Sequence, residues 1–474
     1  MANMMQEWAS NFINWAQSAQ TVDAYEKAIN IRRSALSELW EYYEGRQRRP
    51  LRMTQTGKDY NVLANLTGVI VNRSVSMLVG PGVDFNVPET KEDADPAEAN
   101  TPHEYIENVW EANRGDILLH DLVQFGSIYG TPYIKIVPDG REWNGRLFPR
   151  LVALNPFNMA VFTQPDDIEN VIAYLCRWNN GNDAWREITE KRNNAWYVRL
   201  EYANKDTHGK WTMQNEVVWP WLFSPIQHTK NLPAAGNVYG MSDIEGVIEL
   251  QDKYNASQSD INTILGNNAF PLRYTSGGKL PRVTLADGSQ VIDISPSKII
   301  EFTNDNAKMN TVEMASDLSS SRSFASDIRR DIFDISQTVD SETLRQNASS
   351  LTNFGLKVMF KEEIAKNNVK RMLYGDLLST VNRNLLTMAG WSGDATDPGD
   401  VVWGEPLPEN PLEEIQALTA DRALGIVSLK TVSQIRDYDY EQEQAQLAEE
   451  KKTAGTLGGS LLADFLANKN QGEA

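Results

Sequence analysis

Cysteine is almost absent from this 474-residue chain: Cys176 stands alone. A disulfide within the subunit and a thiolate metal cluster are therefore excluded. Its setting, Val171-Ile-Ala-Tyr-Leu-Cys-Arg-Trp178, reads as a strand in which a lone cysteine acts as a small core hydrophobe. Histidine is scarce as well. His103, His120, His208 and His228 show no His-Glu-x-x-His and no paired metal spacing, so packing or surface roles suit each. Long apolar runs are missing. The best candidate, Asn61 to Val83, is interrupted by Asn65, Asn72 and Arg73, short of the ~18 consecutive apolar residues a membrane span needs. Met1 to Gln20 lacks a basic region followed by an apolar block, so no secretory signal is expected. Gly277-Gly278-Lys279-Leu280 has neither the spacing nor the hydroxyl of a phosphate-binding loop. No dinucleotide fingerprint and no Gly-x-Ser-x-Gly elbow occur. A surplus of positive charge is also lacking. The net charge of -19 argues against a surface that grips phosphates continuously.

What is present is an ordinary globular composition, 41% hydrophobic and 23% charged, ample for a sizeable core. Only Trp391 and Trp403 of the 13 tryptophans lie beyond Trp221, which places the main core in the first half. A helix is expected over 4–44, with Asp23 and Glu26 as a capping box, then a second over Val62 to Leu78 closed by Gly80-Pro-Gly82, and a third over 103–126. Residues 86–102 read as a loop. Short aromatic and β-branched runs follow at Pro132–Val137, Arg146–Leu154, Met159–Thr163, Val171–Trp178, Trp185–Thr189, Ala195–Tyr202 and Glu216–Trp221. Turn signals such as Asp139-Gly140 and Asn179-Asn-Gly-Asn182 separate them, which implies an antiparallel sheet and an α+β fold.

Ser242-Asp-Ile-Glu245 reads as another capping box, starting a helix to Gly266. A small β-rich lobe follows, with Asp287-Gly288 turning between 282–285 and 290–294, then a helix over 314–335. The polar break Ser336 to Ser349 precedes the longest expected helix, 350–388, about 57 Å at ~1.5 Å per residue. Leu351, Phe354, Val358, Ile364, Leu373, Leu377, Val381 and Leu385 supply its apolar side. Lys357, Lys361, Lys366, Lys370 and Arg371 supply a basic one, although a solvated face balanced by Glu362 and Glu363 would give the same pattern. Asn410-Pro-Leu-Glu413 and Ser428 mark two further helix starts, before a charged, then Gly/Ala-rich tail. Acidic groups at Asp437, Asp439, Glu441 and Glu443, and at Asp84, Asp93 and Asp95, have no organising glycine turn or partner lysine. A catalytic reading is therefore weak, and no cofactor or metal is expected.

The order of these elements resembles the SPP1-type portal family of tailed bacteriophages. The resemblance is carried by Asn61-Val-Leu-Ala-Asn-Leu to Leu78-Val-Gly80, by Gly126-Ser-Ile-Tyr-Gly-Thr-Pro-Tyr-Ile-Lys135, by Gly240-Met-Ser-Asp-Ile-Glu245 to Tyr254-Asn255, and by Leu412 to Glu450. It implies a non-enzymatic subunit of a ring of about twelve copies at one capsid vertex, through which double-stranded DNA is packaged and ejected without sequence recognition. It also implies an elongated, multi-lobed chain: a wing over 1–241, a first stem helix 242–266, a clip 267–312, a second stem helix 313–335, a tunnel loop 336–349, a long helix returning to the wing over 350–403, and a crown with tail over 404–474. Gln337, Thr338, Ser341, Arg345, Gln346, Asn347, Lys357 and Lys361 become candidates to face the DNA. Arg273, Lys279, Arg282 and Lys298 become candidates to dock the motor. Implied partners are the terminase large subunit, an adaptor or head-completion protein, and the major capsid and scaffolding proteins, with no membrane. The implied location is the virion's portal vertex, and the host cytoplasm during assembly. In the loop Asp340 and Glu342 outnumber Arg345, which fits a loose collar better than a phosphate grip. Another capsid or head–tail connector protein would share the acidity without needing so long a helix after a polar break. A DNA-processing enzyme would need a convergent acid cluster.

Overall fold

Helix α1 (Ala19–Tyr43) turns Ile29, Leu36, Leu39 and Tyr42 inward at helical spacing. The computed structural model describes residues 19–51, 59–88, 101–204, 210–269, 273–276, 282–284, 288–292, 308–311, 318–342, 353–407, 411–435, 440 and 443–448. The capping box expected at Asp23 and Glu26 does not form, because α1 runs straight through both. Glu26 serves a tertiary contact instead, accepting from Arg177 Nη1 at 2.5 Å. Helix α2 (Leu66–Val79) is capped by Asn65, whose side chain accepts from Gly68 N at 3.0 Å. Strand β1 (Val83–Asn86) follows.

The single helix expected over 103–126 is two: α3 (Pro102–Ala112) and α4 (Gly115–Tyr129). Arg114 between them adopts a left-handed φ of 54°. The Asn113 side chain holds this break in place, donating to Pro149 O at 3.2 Å and accepting from Leu151 N at 2.9 Å. A true capping box does occur at Thr101 and Glu104.

Short strands then succeed one another: β2 (Tyr133–Val137), β3 (Glu142–Trp143), β4 (Arg146–Leu147), β5 (Arg150–Leu154), β6 (Met159–Gln164), β7 (Asp167–Asn180), β8 (Asp183–Arg192), β9 (Ala195–Ala203), β10 (Thr212–Trp219) and β11 (Ile226–His228). The strand expected over 146–154 is split at Phe148-Pro149, where proline offers no ladder N–H. An antiparallel meander runs β10-β9-β8-β7-β6, and a second sheet runs β11-β2-β5. The antiparallel expectation is met. Inside the meander Arg186 is fully buried, its guanidinium 4.2 Å over Trp211 and its Nε donating to Glu201 at 2.6 Å.

Helix α5 (Ile248–Ala269) leads into β12 (Arg273–Ser276), β13 (Arg282–Thr284), β14 (Gln290–Ile292) and β15 (Lys308–Thr311), and α6 (Leu318–Ile335) leads out. Helices α5 and α6 lie against each other. Strand β12 pairs with β15, and β13 with β14 across a turn whose Gly288 has φ 82°. A small β lobe between two packed helices is thus present among the described residues.

The long helix expected over 350–388 is interrupted. Helix α7 (Asn353–Met359) and α8 (Lys361–Met388) are separated at Phe360. Helix α8 alone spans about 42 Å. Strand β16 (Asp400–Trp403) pairs with β1, returning the chain to its beginning. The main hydrophobic core joins the first half of the chain to α5, α6 and α8, and a smaller cluster gathers Tyr25, Ile29, Ala160, Leu175 and Ile188 between α1 and the meander. The aromatics of the first half reach α8 and the chain just after it: Trp110 Nε1 donates to Asn382 Oδ1 at 2.8 Å, and Tyr105 packs edge-on against Trp391.

The chain divides into two compact units, residues 1–351 with 356–406 and residues 352–355 with 407–474. In the second, α9 (Pro411–Ala423) begins on proline as expected, although Asn410 lies outside the described residues. Helix α10 (Leu429–Ile435) is capped by Ser428, whose Oγ accepts from Thr431 N at 3.2 Å.

Candidate functional site

The basic residues of α8 do not form one solvated stripe. Lys361 is exposed, as is Lys357 on α7, but Lys366 and Lys370 are buried and Arg371 is turned to the Gly404 carbonyl. The spacing explains why. Lys366 and Lys370 lie on the same row as the buried Tyr374, Leu377, Val381 and Leu385, so the helix carries them into the core.

Lys370 reaches Asp243 Oδ2 at 2.5 Å, Ser74 Oγ at 2.6 Å and Ser127 Oγ at 3.3 Å. These match the three donors of an ammonium group. Lys366 donates to Ser336 O at 2.8 Å and lies 2.9 Å from Asp243 Oδ1. Asp243 is therefore held between two ammonium groups. Burial alone would raise its carboxyl, but Lys370 and Lys366 hold it well below the usual carboxylate range. Burial pushes Lys370 down to about 8, against the pull of Asp243.

This arrangement brings together three of the stretches picked out in the sequence. Ser74 lies on α2, within 61–80, and Ser127 on α4, within 126–135. Asp243 lies in Gly240–Glu245. The capping box expected at Ser242 and Glu245 gives way to these partners. Ser242 Oγ donates to Ser127 O at 3.1 Å, Asp243 N donates to the same carbonyl at 2.9 Å, and α5 starts at Ile248. Two glycines make the close approach possible. A Cβ on Gly126 would lie 1.9 Å from the Tyr374 hydroxyl, and one on Gly240 would lie 2.4 Å from Gly130 O.

The polar break begins at this cluster. Helix α6 ends with Thr338 N donating to Phe333 O at 2.9 Å and Gln337 N to Asp334 O at 3.1 Å. Gln337 sits between them at φ 52°, the position glycine usually takes in this C-terminal motif. Gln337→Gly is therefore expected to raise stability by about 0.5–1 kcal/mol, since a non-glycine residue is strained there. Urea unfolding checks this, and a lower midpoint would show that the Gln337 side chain matters more than its backbone.

Beyond the motif, Val339 N donates to Glu363 Oε2 at 2.9 Å. Asp340 receives Arg329 Nε at 2.7 Å and Nη2 at 2.8 Å, and also accepts from Glu342 N at 3.1 Å. Burial raises the Glu363 carboxyl above its ordinary value, against the pull of Val339 N, Arg73 and Lys366. A cleft of about 510 Å³ opens beside this root, lined by Arg329, Phe333, Asp340, Val358, Lys361 and Glu362 among others.

Of the residues expected to face DNA, Gln337 is exposed and Ser341 half-buried. Thr338 is 7% exposed, and its hydroxyl turns inward to Ser336 O at 3.3 Å. Arg345, Gln346 and Asn347 lie outside the described residues. Arg273 and Arg282 lie on the paired strands β12 and β13, whereas Lys279 and Lys298 lie outside the described residues. Sequence reasoning missed Asp243, Ser74, Ser127 and Glu363. The continuation of the α8 apolar row through Lys366 and Lys370 is the signal that could have exposed them.

Cys176 and His228 sit among packed side chains, whereas His120 and Asp84 are exposed. Burial pushes the Cys176 thiol up to about 12, and lowers His228, stacked on Tyr133, to about 4. Among the described residues no group of His, Cys, Asp and Glu is arranged to hold a metal ion, and no helix is long and apolar enough to cross a membrane. Of the acidic groups in the tail, Asp437, Asp439 and Glu441 lie outside the described residues.

A family model described as phage portal protein, SPP1 Gp6-like, matches residues 23–456. No curated protein matches the chain. Similar solved structures include a chain of the virion of a native gene transfer agent particle, 14% identical, with 79% of this chain and 90% of that chain covered and a TM-score of 0.41. Another comes from the neck of an empty gene transfer agent particle, 13% identical over the same shares, with a TM-score of 0.42.

Proposed function

This chain belongs to the SPP1 Gp6-like family of phage portal proteins, and from that premise we propose how its parts serve the passage of DNA. It is a structural subunit of the portal ring at one capsid vertex. The observation that carries this is the family match across residues 23–456, nearly the full chain. The ring takes about twelve copies, and heterologous contacts close it.

Helices α5 and α6 act as the stem, the β12–β15 lobe as the clip, and residues 336–349 as the tunnel loop. The order helix, small β lobe, helix, break supports this assignment. The terminase large subunit docks on the clip, with Arg273, Lys279, Arg282 and Lys298 as its candidate contacts. An adaptor, the major capsid protein and the scaffold complete the set of partners, with assembly in the host cytoplasm.

The mechanism is steric and electrostatic. A channel about 20 Å wide must guide duplex DNA without holding it, because each firm Lys–phosphate contact adds affinity that a ring would multiply. The net charge of -19 suits a wall that repels DNA. The buried lysines support the same reading: Lys366 and Lys370 face carboxylate and hydroxyl groups inside the subunit, leaving Lys357 and Lys361 as the exposed cations of this stretch. Reversing Lys357 and Lys361 to glutamate is expected to change DNA packaged per particle at least severalfold. The melting temperature should move little, because exposed pairs contribute about 0–1 kcal/mol. Unchanged packaging with a lowered melting temperature would make both residues structural.

A further inference from the structure

We infer that a single water molecule is built into the small cavity beside Lys366, as a ligand shared by the polar break and helix α8. Thr338, Glu363, Lys366, Asn367, Lys370 and Ser74 line a cavity of about 10 Å³. Each of these residues is at least nine-tenths buried. That volume matches one water on the scale where about 10–15 Å³ suffices.

The lining identifies the ligand. Asn367 Nδ2 donates to Met77 O at 3.0 Å, which fixes the amide and leaves Oδ1 buried with no partner. Lys366 donates to Ser336 O and lies 2.9 Å from Asp243 Oδ1, and these two partners leave at least one of its three N–H groups for a further acceptor. Lys370 is saturated by Ser74, Ser127 and Asp243 and contributes no donor. The site thus offers a donor on Lys366 and the unpartnered acceptor of Asn367, which a water satisfies by accepting from Lys366 and donating to Asn367.

Charge excludes an ion. The carboxylates of Asp243 and Glu363 balance the ammonium groups of Lys366 and Lys370, and an added ion would leave net charge among side chains at least nine-tenths buried. An apolar occupant would strand the Asn367 acceptor. One wall of the cavity, Thr338, comes from the break itself, and the next residue, Val339, is bonded to Glu363. The water therefore exists as a bound species only while the root of the break is docked on α8. This inference stands apart from the channel reading, since it concerns the packed interior alone.

Cryo-EM of the assembled wild-type protein, at a resolution that shows ordered waters, tests it. The expected result is one peak within about 2.6–3.2 Å of both Asn367 Oδ1 and Lys366 Nζ. Asn367→Leu removes the acceptor, and the peak should vanish from that map. Absence of the peak in wild type, where other buried waters are visible, would overturn the inference. So would a peak that persists in the leucine variant, or one with the coordination distances of an ion. Should the variant fail to fold, the wild-type map decides.

Discussion

Asp243→Asn is expected to cost about 3–5 kcal/mol of stability, the loss seen when one member of a buried ion pair is removed. The side chain keeps its shape while Lys366 and Lys370, both more than nine-tenths buried, lose the carboxylate between them. The penalty is the uncompensated charge rather than the missing contacts. Replacing all three residues together, Asp243→Leu with Lys366→Met and Lys370→Met, should therefore recover most of the loss. Urea unfolding monitored by tryptophan fluorescence measures both variants. An Asp243→Asn protein within about 1 kcal/mol of wild type would mean that the network is dispensable.

The same carboxylate gives a pH signature. Its folded-state pKa lies below the unfolded value of about 3.9, so its contribution is complete above that pH and is lost as pH falls below it. Wild type should lose stability more steeply than Asp243→Asn across that acidic window.

The second large effect concerns DNA rather than stability. Shortening Ser341 to Ala348 is expected to abolish most DNA packaging or retention while leaving assembly intact. The root of the break, Ser336 to Asp340, is held by the Lys366–Ser336, Val339–Glu363 and Arg329–Asp340 contacts, and all of these remain in the shortened protein. What is removed starts at Ser341; residues 343–348, including Arg345, Gln346 and Asn347, lie outside the described residues. Phage particles carrying the shortened subunit would be scored for ring assembly and for DNA content. Failure of assembly with normal packaging in the particles that do arise would make the segment an assembly contact.

Local chemistry made much of the architecture legible. Alternating runs and Asn-Gly or Asp-Gly turns revealed the meander and the β13–β14 hairpin, because strand pairing over short separations is written in adjacent residues. Ser428 read correctly as a cap for the same reason. The failures share a cause. Glu26 and Ser242 looked like capping residues, yet their partners, Arg177 and Ser127, are distant in sequence, and tertiary contacts outcompeted local ones. Arg114 ended a helix because Asn113 is bonded to the chain at Pro149 and Leu151, which no local pattern shows. Lys366 and Lys370 looked exposed by residue type and buried by position. Position decided.

Negative-stain electron microscopy of the purified, full-length protein tests the central claim most directly, because a portal subunit must close into a ring around a channel. The account predicts ring-shaped particles of about twelve subunits with a stain-filled central hole. Compact monomers without a hole, persisting at micromolar concentration across several salt conditions, would contradict it.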